Sequence, residues 1–87
     1  MKFTYFIPKS VLKKFSRFFP KDQKLILQTL EQIIQANHPL LDTRVKKMQG
    51  IPTRYRIKVS YNLRIVFVID NHTLVISEIN TRENIRY

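Results

Sequence analysis

The sequence predicts an α+β fold, in which a two-helix hairpin packs on one face of a mainly antiparallel sheet. Residues 54–59 alternate basic and apolar side chains, and residues 63–70 are rich in β-branched and aromatic residues, so both stretches are predicted as strands. Before them, apolar residues recur at helical spacing in residues 11–19 and again in residues 21–37. The predicted order is β-α-α-β-β-β, within a single domain that covers residues 1–87.

The N-terminal half begins with a predicted short strand, residues 3–7, which Pro8 closes. The first helix follows, and its apolar stripe consists of Val11, Leu12, Phe15, Phe18 and Phe19. Pro20 either ends this helix or begins the next one, which is predicted over residues 21–37. The buried side of the second helix consists of Ile26, Leu30, Ile33 and Ile34. The helix stops before Pro39, because the residue preceding a proline avoids the helical region.

Residues 38–52 are predicted to form one long connection. It contains Gly50, the only glycine, and three basic residues that either extend a binding surface or are simply solvated: Arg44, Lys46 and Lys47. Further along, residues 70–73 predict a tight hairpin turn. Residues 74–79 return as the last strand, and residues 81–87 leave the sheet as a short tail.

The register of the first two long strands follows from their apolar residues. One pairing makes a wholly apolar face: Val59 with Leu63, Ile57 with Ile65, and Tyr55 with Phe67. The same register places Lys58 opposite Arg64, with Arg56 beside them. Like charges directly opposite each other are unfavourable on a sheet, so we interpret this basic patch as a binding site. The alternative is that these are three solvated surface cations.

The composition indicates the class of partner. Sixteen Lys and Arg residues against six acidic ones give a net charge of +10, which attracts nucleic acid, an acidic protein or an anionic surface. The chain has no cysteine, which excludes disulfides and thiolate zinc sites and fits a reducing cytoplasm. Apolar runs are shorter than the roughly 18 residues of a membrane span, and the N-terminal apolar stretch is too short for a signal peptide.

Few kinds of catalytic chemistry remain. The two histidines are expected to be ordinary surface residues, so no metal site or cofactor is predicted, and one glycine cannot make a phosphate-binding loop. The acidic residues are spread out, and Glu78 or Glu83 is expected to pair with an arginine. Cationic side chains remain as candidates, and they suit a reaction in which the 2′-hydroxyl of the RNA attacks the adjacent phosphate. Arginine clamps phosphate oxygens, and a lysine crowded by cations can change protonation state.

Several short motifs occur in a distinctive order: Met48-Gln49-Gly50-Ile51-Pro52, Tyr55-Arg56-Ile57-Lys58-Val59 and Leu63-Arg64-Ile65-Val66-Phe67, followed by Arg82 and Tyr87. In this order the chain resembles the RelE/ParE superfamily of bacterial toxins along all 87 residues, and its RelE branch most closely. The resemblance implies a small α+β toxin of a type II toxin–antitoxin system. Toxins of the RelE branch are ribosome-dependent endoribonucleases that cleave mRNA in the A site.

The resemblance also implies roles for single residues. Arg56 and Lys58 would serve in proton transfer and phosphate contact, and Arg64 would clamp the transition state. Arg82 would neutralise phosphate or support the leaving group, and Tyr87 would stack on an mRNA base. The basic residues around them would bind RNA: Arg54, Arg44, Lys46 and Lys47.

Some positions depart from the family pattern. Arg56 stands where a lysine is usual, which makes Lys58 the better candidate for the base. The glycine that often precedes the late arginine is absent, and the interval from Arg82 to Tyr87 is one residue shorter than in the closest pattern.

The resemblance implies partners as well. They are a cognate antitoxin, the ribosome with its mRNA, and operator DNA reached only through the antitoxin complex, with no membrane involved. Two other functions compete with this one: a ParE-type toxin that inhibits gyrase, and an inactive basic module that binds nucleic acid or protein.

Overall fold

A computed structural model describes residues 2–50 and 53–81 of the chain. Its elements are β1 (Thr4–Phe6), α1 (Lys9–Phe15), α2 (Pro20–Gln35), a 3₁₀ turn (Pro39–Leu41), β2 (Val45–Met48), β3 (Arg54–Lys58), β4 (Leu63–Asp70) and β5 (Thr73–Thr81). The strands form a five-stranded sheet in the order β1-β5-β4-β3-β2. Only the pairing of β1 with β5 is parallel among these described strands. The predicted α+β class is confirmed, with one strand more than expected.

The two helices cover one face of the sheet with their apolar residues. Ile26, Leu30 and Ile33 of α2 are fully buried, and they belong to one core cluster with residues of β3, β4 and β5. Thr29 is buried on the same side, and its hydroxyl donates a hydrogen bond to the Leu25 carbonyl at 2.8 Å, which offsets the cost of burying it. No helix in the described part of the chain is long and apolar enough to cross a membrane.

The first helix is shorter than its apolar stripe predicts. It ends at Phe15, and Pro20 is the first residue of α2. Phe19, which precedes the proline, has a ψ of 147°, because the proline ring excludes the helical conformation there. Phe18 is buried as predicted, but outside the helix, whereas Phe19 is 65% exposed and Leu12 is 47% exposed. The prediction that all five residues form one buried helical stripe is therefore wrong.

The prediction of one long connection over residues 38–52 is also wrong. Part of it is β2, which pairs antiparallel with β3 and places Lys46 opposite Arg56 and Val45 opposite Ile57. Two adjacent lysines interrupt the alternation of polar and apolar residues by which a strand is predicted from sequence. Lysines on an edge strand also prevent edge-to-edge association of sheets, so their presence here fits the position of β2 at the end of the sheet.

The predicted register between β3 and β4 is confirmed. Lys58 lies opposite Arg64 and Arg56 opposite Val66, and the apolar pairs are Tyr55 with Phe67 and Ile57 with Ile65. The Val59 amide donates to the Leu63 carbonyl at 2.9 Å, which continues the predicted pairing to the turn. The alternation of basic and apolar side chains thus predicts the register of this hairpin correctly.

The hairpin of β4 and β5 contains an irregularity that the sequence does not reveal. Its turn is at the predicted place, with Asn71 at a φ of 57° and Asp70 paired with Thr73. The register shifts next to Val66, where one residue of β5 has no partner. Ile76 and Ile79 are therefore both fully buried although they are three positions apart.

Candidate functional site

The basic residues of the strands collect on the side of the sheet that faces away from the helices. We call this side the outer face. It is formed by Lys46 and Met48 of β2, Arg54, Arg56 and Lys58 of β3, Arg64, Val66 and Val68 of β4, and Glu78 and Asn80 of β5. Each cation of β3 alternates with a core side chain, so burying Tyr55 and Ile57 places the cations outward.

Three of the predicted catalytic residues come together at one end of this face. Lys58 and Arg64 are directly opposite on adjacent antiparallel strands, and Arg56 is two residues from Lys58 on the same side of β3. Directly opposed side chains on antiparallel strands have Cβ atoms only about 5 Å apart. These cations therefore repel one another, and an anion bound between them would relieve the repulsion.

Arg64 is the most enclosed member of this group. Its side chain is half-buried, whereas Arg56 and Lys58 are exposed. The Nη1 atom of Arg64 is buried and has no hydrogen-bond partner among the described residues. A buried cationic donor without a partner is costly, and a phosphate oxygen would satisfy it with a charge-assisted hydrogen bond.

Arg54 is held by the acidic residue of the outer face. Its Nη1 lies 3.9 Å from Glu78 Oε2, which confirms the expectation that Glu78 pairs with an arginine. Since Arg54 is on β3 and Glu78 on β5, the pair crosses β4, where Val66 is only 2% exposed. Arg54 Nε, like the Arg64 nitrogen, is buried without a hydrogen-bond partner in the described structure.

Two residues that were predicted to bind RNA lie apart from this group. Arg44 donates to Asp42 from Nε at 3.0 Å and from Nη2 at 2.8 Å, and to Gln32 of α2 at 3.1 Å. The side-chain hydrogen bond lowers the pKa of Asp42 and raises the pKa of Arg44. Lys47 pairs with Tyr55 and so projects to the helix side of β2, whereas Lys46 is on the outer face.

Two other predicted residues, Arg82 and Tyr87, lie outside the described residues. The structure adds an aromatic residue that the sequence interpretation passed over. Tyr61, in the turn between β3 and β4, has its ring centroid 6.0 Å from Lys58 Nζ. Its signal in the sequence is an aromatic side chain in a short turn that joins two strands carrying basic residues.

The two histidines are closer together than their sequence separation indicates. Both imidazole rings meet the ring of Phe3 edge-on, with centroid distances of 5.0 Å for His38 and 5.1 Å for His72. His38 Nδ1 also accepts a hydrogen bond from the Leu40 amide at 3.1 Å. His38 is thus half-buried and caps the 3₁₀ turn, rather than being an ordinary surface residue. No group of three or more potential metal ligands is found in residues 2–50 and 53–81.

Comparison with known proteins gives similarity in structure rather than in sequence. No protein-family model and no curated protein sequence matches the chain. Among solved structures, a chain of the archaeal RelE–RelB complex from Pyrococcus horikoshii superimposes with a TM-score of 0.76 and 17% identity, covering 98% of this chain and 100% of that one. The RelB–RelE antitoxin–toxin complex from Methanococcus jannaschii gives 0.70 and 22%, covering 88% and 89%.

A third similar structure is the YoeB dimer from Staphylococcus aureus, with a TM-score of 0.67, 12% identity, and coverage of 92% of this chain and 97% of that one. The resemblance inferred from the motifs is thus confirmed as a shared fold. Two helices on a five-stranded, mostly antiparallel sheet are the architecture of RelE-like toxins. At these identities the fold is what the comparison establishes.

Proposed function

We propose that the protein is the toxin of a type II toxin–antitoxin pair, and that it cleaves mRNA on the ribosome. The observation that carries this proposal is the opposition of Lys58 and Arg64, with Arg56 beside them, on the outer face. A cluster of three cations with a buried, unsatisfied guanidinium nitrogen suits a group that gains negative charge during a reaction. The fold shared with RelE and YoeB toxins also supports the proposal that the protein is a toxin.

The proposed reaction is attack by the 2′-hydroxyl of RNA on the adjacent phosphate. A base must take the 2′-hydroxyl proton, the phosphorane oxygens need stabilisation, and the departing 5′-oxygen needs a proton. Lys58 is the group here that can exchange a proton, because a guanidinium stays protonated. Arg64 would contact two non-bridging oxygens at once, and Arg56 would contact the phosphate from the neighbouring position.

Further residues take supporting roles in this proposal. Lys46 and Arg54 extend the cations of the outer face along the path of the RNA backbone. Arg82 would neutralise charge at the phosphate or at the leaving group, and Tyr87 would stack on a base. Arg44 and Lys47 would act at a distance from the reacting phosphate, because their side chains are on the helix side.

The substrate must be positioned by something besides this face. Three cations without a histidine form a weak proton-transfer site, so cleavage of free RNA should be slow. A ribosome that holds the mRNA in one geometry would supply the missing orientation, and fixed geometry alone can lower a barrier by several kcal/mol, roughly 7–11 in favourable cases. The proposed cleavage thus requires the ribosome to orient the mRNA. The protein would act in the cytoplasm, where ribosomes are.

A cognate antitoxin is the second proposed partner. RelE is bound to RelB in the Pyrococcus horikoshii and Methanococcus jannaschii structures. A net charge of +10 favours an acidic antitoxin segment as much as it favours RNA. Contact with operator DNA is proposed only through the complex with that antitoxin.

Induced expression in bacteria tests the proposal and separates it from the competing functions. We expect growth arrest and new mRNA ends at codon positions, detected by primer extension on an abundant message. Arg64→Ala should abolish both, while Arg17→Ala removes one exposed cation away from the outer face and should change neither. Arrest with intact mRNA and damaged DNA would instead indicate a gyrase inhibitor, and harmless expression of folded protein would indicate a binding module.

A further inference from the structure

The irregularity in the β4–β5 hairpin determines which face of the sheet Glu78 is on. Phe67 pairs with Ile76 in the regular part of the hairpin. The neighbouring residue, Val66, pairs with Glu78, so one residue of β5 is passed over. Without this extra residue Glu78 would pair with Ile65, whose side chain lies in the core. The bulge thus moves a carboxylate from the core side to the outer face, where the cations are.

Glu78 lies beside the cations of the candidate site. It is paired with Val66 on β4, and Val66 is opposite Arg56 on β3. Arg64 is two residues from Val66 on the same side of β4, so Glu78 is its diagonal neighbour across the strands. Such neighbours have Cβ atoms roughly 7–8 Å apart, within reach of long side chains. The sheet therefore carries Glu78 on β5, Arg64 on β4 and Lys58 on β3, on three successive strands.

No other acid in residues 2–50 and 53–81 has a comparable position. The acids of α2 are on the other side of the sheet, and Asp42 is engaged by hydrogen bonds from Arg44. Asp70 is at the far end of β4 from Arg64, roughly 20 Å away along the strand. Within the described chain, Glu78 is therefore the acid that can reach a phosphate bound at Arg64.

The carboxylate of Glu78 is accessible to a substrate hydroxyl. The side chain is 49% exposed, and its contact with Arg54 is 3.9 Å long, which is longer than a hydrogen bond. Among the residues that the structure describes, no donor forms a hydrogen bond with the carboxylate oxygens. An ionised carboxylate accepts hydrogen bonds and donates none, and a general base binds its substrate proton in this way.

We propose that Glu78 is the general base that removes the proton of the 2′-hydroxyl, and that Lys58 is the acid that protonates the 5′-oxygen. The inference rests on the proposed function and assigns its two proton transfers to two different groups. In a phosphoryl transfer the attacking and leaving oxygens lie roughly in line with phosphorus between them. With the phosphate on Arg64 of the middle strand, Glu78 is on one side of it and Lys58 on the other.

Each proton of the proposed reaction has a source and a destination. The O2′–H bond breaks as the O2′–P bond forms, and Glu78 takes the proton. The P–O5′ bond breaks, its electron pair stays on O5′, and the ammonium of Lys58 supplies a proton to that oxygen. The products are a 2′,3′-cyclic phosphate and a 5′-hydroxyl. Proton exchange with water then returns both side chains to their starting states, so the reaction needs no further reactant.

Substitution of Glu78 tests the assignment on ribosomes programmed with a defined mRNA. Rates are measured in a single turnover at saturating protein, so that a change in RNA affinity does not affect them. Glu78→Gln should slow cleavage by about 10²- to 10⁴-fold, the usual contribution of general acid–base catalysis, without weakening RNA binding. Glu31→Gln makes the same change on α2 and is the matched control, which should cleave at the wild-type rate.

A message with sulfur in place of the 5′-oxygen at the cleaved bond separates the base from the acid. A thiolate leaves without being protonated, because thiols are much stronger acids than alcohols. This message should restore most of the cleavage rate of Lys58→Arg, which lacks the acid. Glu78→Gln should stay slow on it, because the 2′-hydroxyl still has to lose its proton.

Arg54→Gln shows whether Glu78 acts only through its ion-pair partner. This variant should bind RNA more weakly but cleave faster than Glu78→Gln at saturating protein. Equal rate losses in the two variants would overturn the inference, because Glu78 would then only hold Arg54. An unchanged rate for Glu78→Gln, or its rescue by the sulfur-substituted message, would overturn the base assignment and leave the nuclease proposal intact. A wild type that fails to cleave mRNA on ribosomes would overturn the proposed function and this inference together.

Discussion

Lys58 and Arg64 face each other directly across the β3–β4 hairpin, two cations on neighbouring strands with Arg56 beside them. The sheet keeps this unfavourable arrangement because the same register buries Ile57 against Ile65 on the other side. Shifting the register by one residue would relieve the repulsion but expose that core. Packing of the core thus keeps the cations close together. An anion that binds between them relieves their repulsion, which favours its binding.

The chemical difference between the two cations gives the first prediction. Lys58→Arg keeps the positive charge but removes the group that can exchange a proton. RNA binding should stay within about twofold, whereas the cleavage rate on ribosomes should fall by roughly 10²- to 10⁴-fold, the usual contribution of general acid–base catalysis. Lys46→Arg, on the same face, should leave the rate unchanged. Full activity of Lys58→Arg would show that Lys58 acts only through its charge.

The acidic residue of the outer face gives the second prediction. Glu78→Gln removes the carboxylate that holds Arg54 and leaves Arg54 available for a phosphate. The affinity for single-stranded RNA should rise, and the slope of log K against log salt should steepen by about 0.7, the value for one added phosphate contact. Glu31→Gln removes an equal charge from α2 on the helix side and serves as the control. A variant that changes affinity without changing the slope would contradict this role for Arg54.

The ion pair of Asp42 and Arg44 gives a prediction about pH. Hydrogen bonding to Arg44 lowers the pKa of Asp42 below its ordinary value of 3.8. The pair therefore stabilises the fold above pH 3.8, and this contribution disappears as the pH falls below 3.8 through the pKa of the folded state. Because the Arg44 side chain is 37% exposed, the contribution is at most about 1 kcal/mol.

Thermal unfolding of Asp42→Asn tests that assignment. The variant should melt a few degrees below the wild type at pH 7, and the difference should shrink as the pH falls below 3.8 and the wild-type carboxylate is protonated. A difference in melting temperature that persists unchanged at low pH would mean that the geometry of the residue 42 side chain, and not its charge, stabilises the fold.

The β4–β5 turn gives a prediction about stability. Asn71 has a φ of 57°, a left-handed conformation that costs an alanine roughly 1–2 kcal/mol and a glycine almost nothing. Urea denaturation should show Asn71→Ala destabilised by about that amount and Asn71→Gly close to the wild type. Asn62→Ala is the matched control in the other hairpin turn, where φ is negative, and it should change stability by less than about 0.5 kcal/mol. Equal effects at both positions would contradict the role of φ.

Sequence patterns predicted the parts of this fold that rest on regular alternation. The β3–β4 register could be predicted because Ile57 lies between Arg56 and Lys58, so only one register keeps those cations off the apolar face. The strand β2 could not, because Lys46 and Lys47 interrupt its pattern at the sheet edge. The bulge in β5 could not either, since it changes which side chains are buried without leaving a glycine or proline as a marker.

The candidate site was predictable only in part, for a related reason. Arg56, Lys58 and Arg64 share a face because strand periodicity dictates it, so their convergence follows from the sequence. Arg44 resembled them in composition, but its orientation depends on Asp42 and Gln32, which a charge count does not reveal. Tyr61 was missed because the relevance of a turn residue depends on which side chains the flanking strands place beside it.

Purified ribosomes programmed with a defined mRNA test ribosome-dependent cleavage most directly. We predict cleavage at one position in the A site, with a 2′,3′-cyclic phosphate at the new 3′ end, and no cleavage by Arg64→Ala. A message with a single 2′-deoxynucleotide at that position should resist cleavage, because the attacking hydroxyl is missing. Equal cutting of the deoxy-substituted and unmodified messages would contradict cleavage through the 2′-hydroxyl.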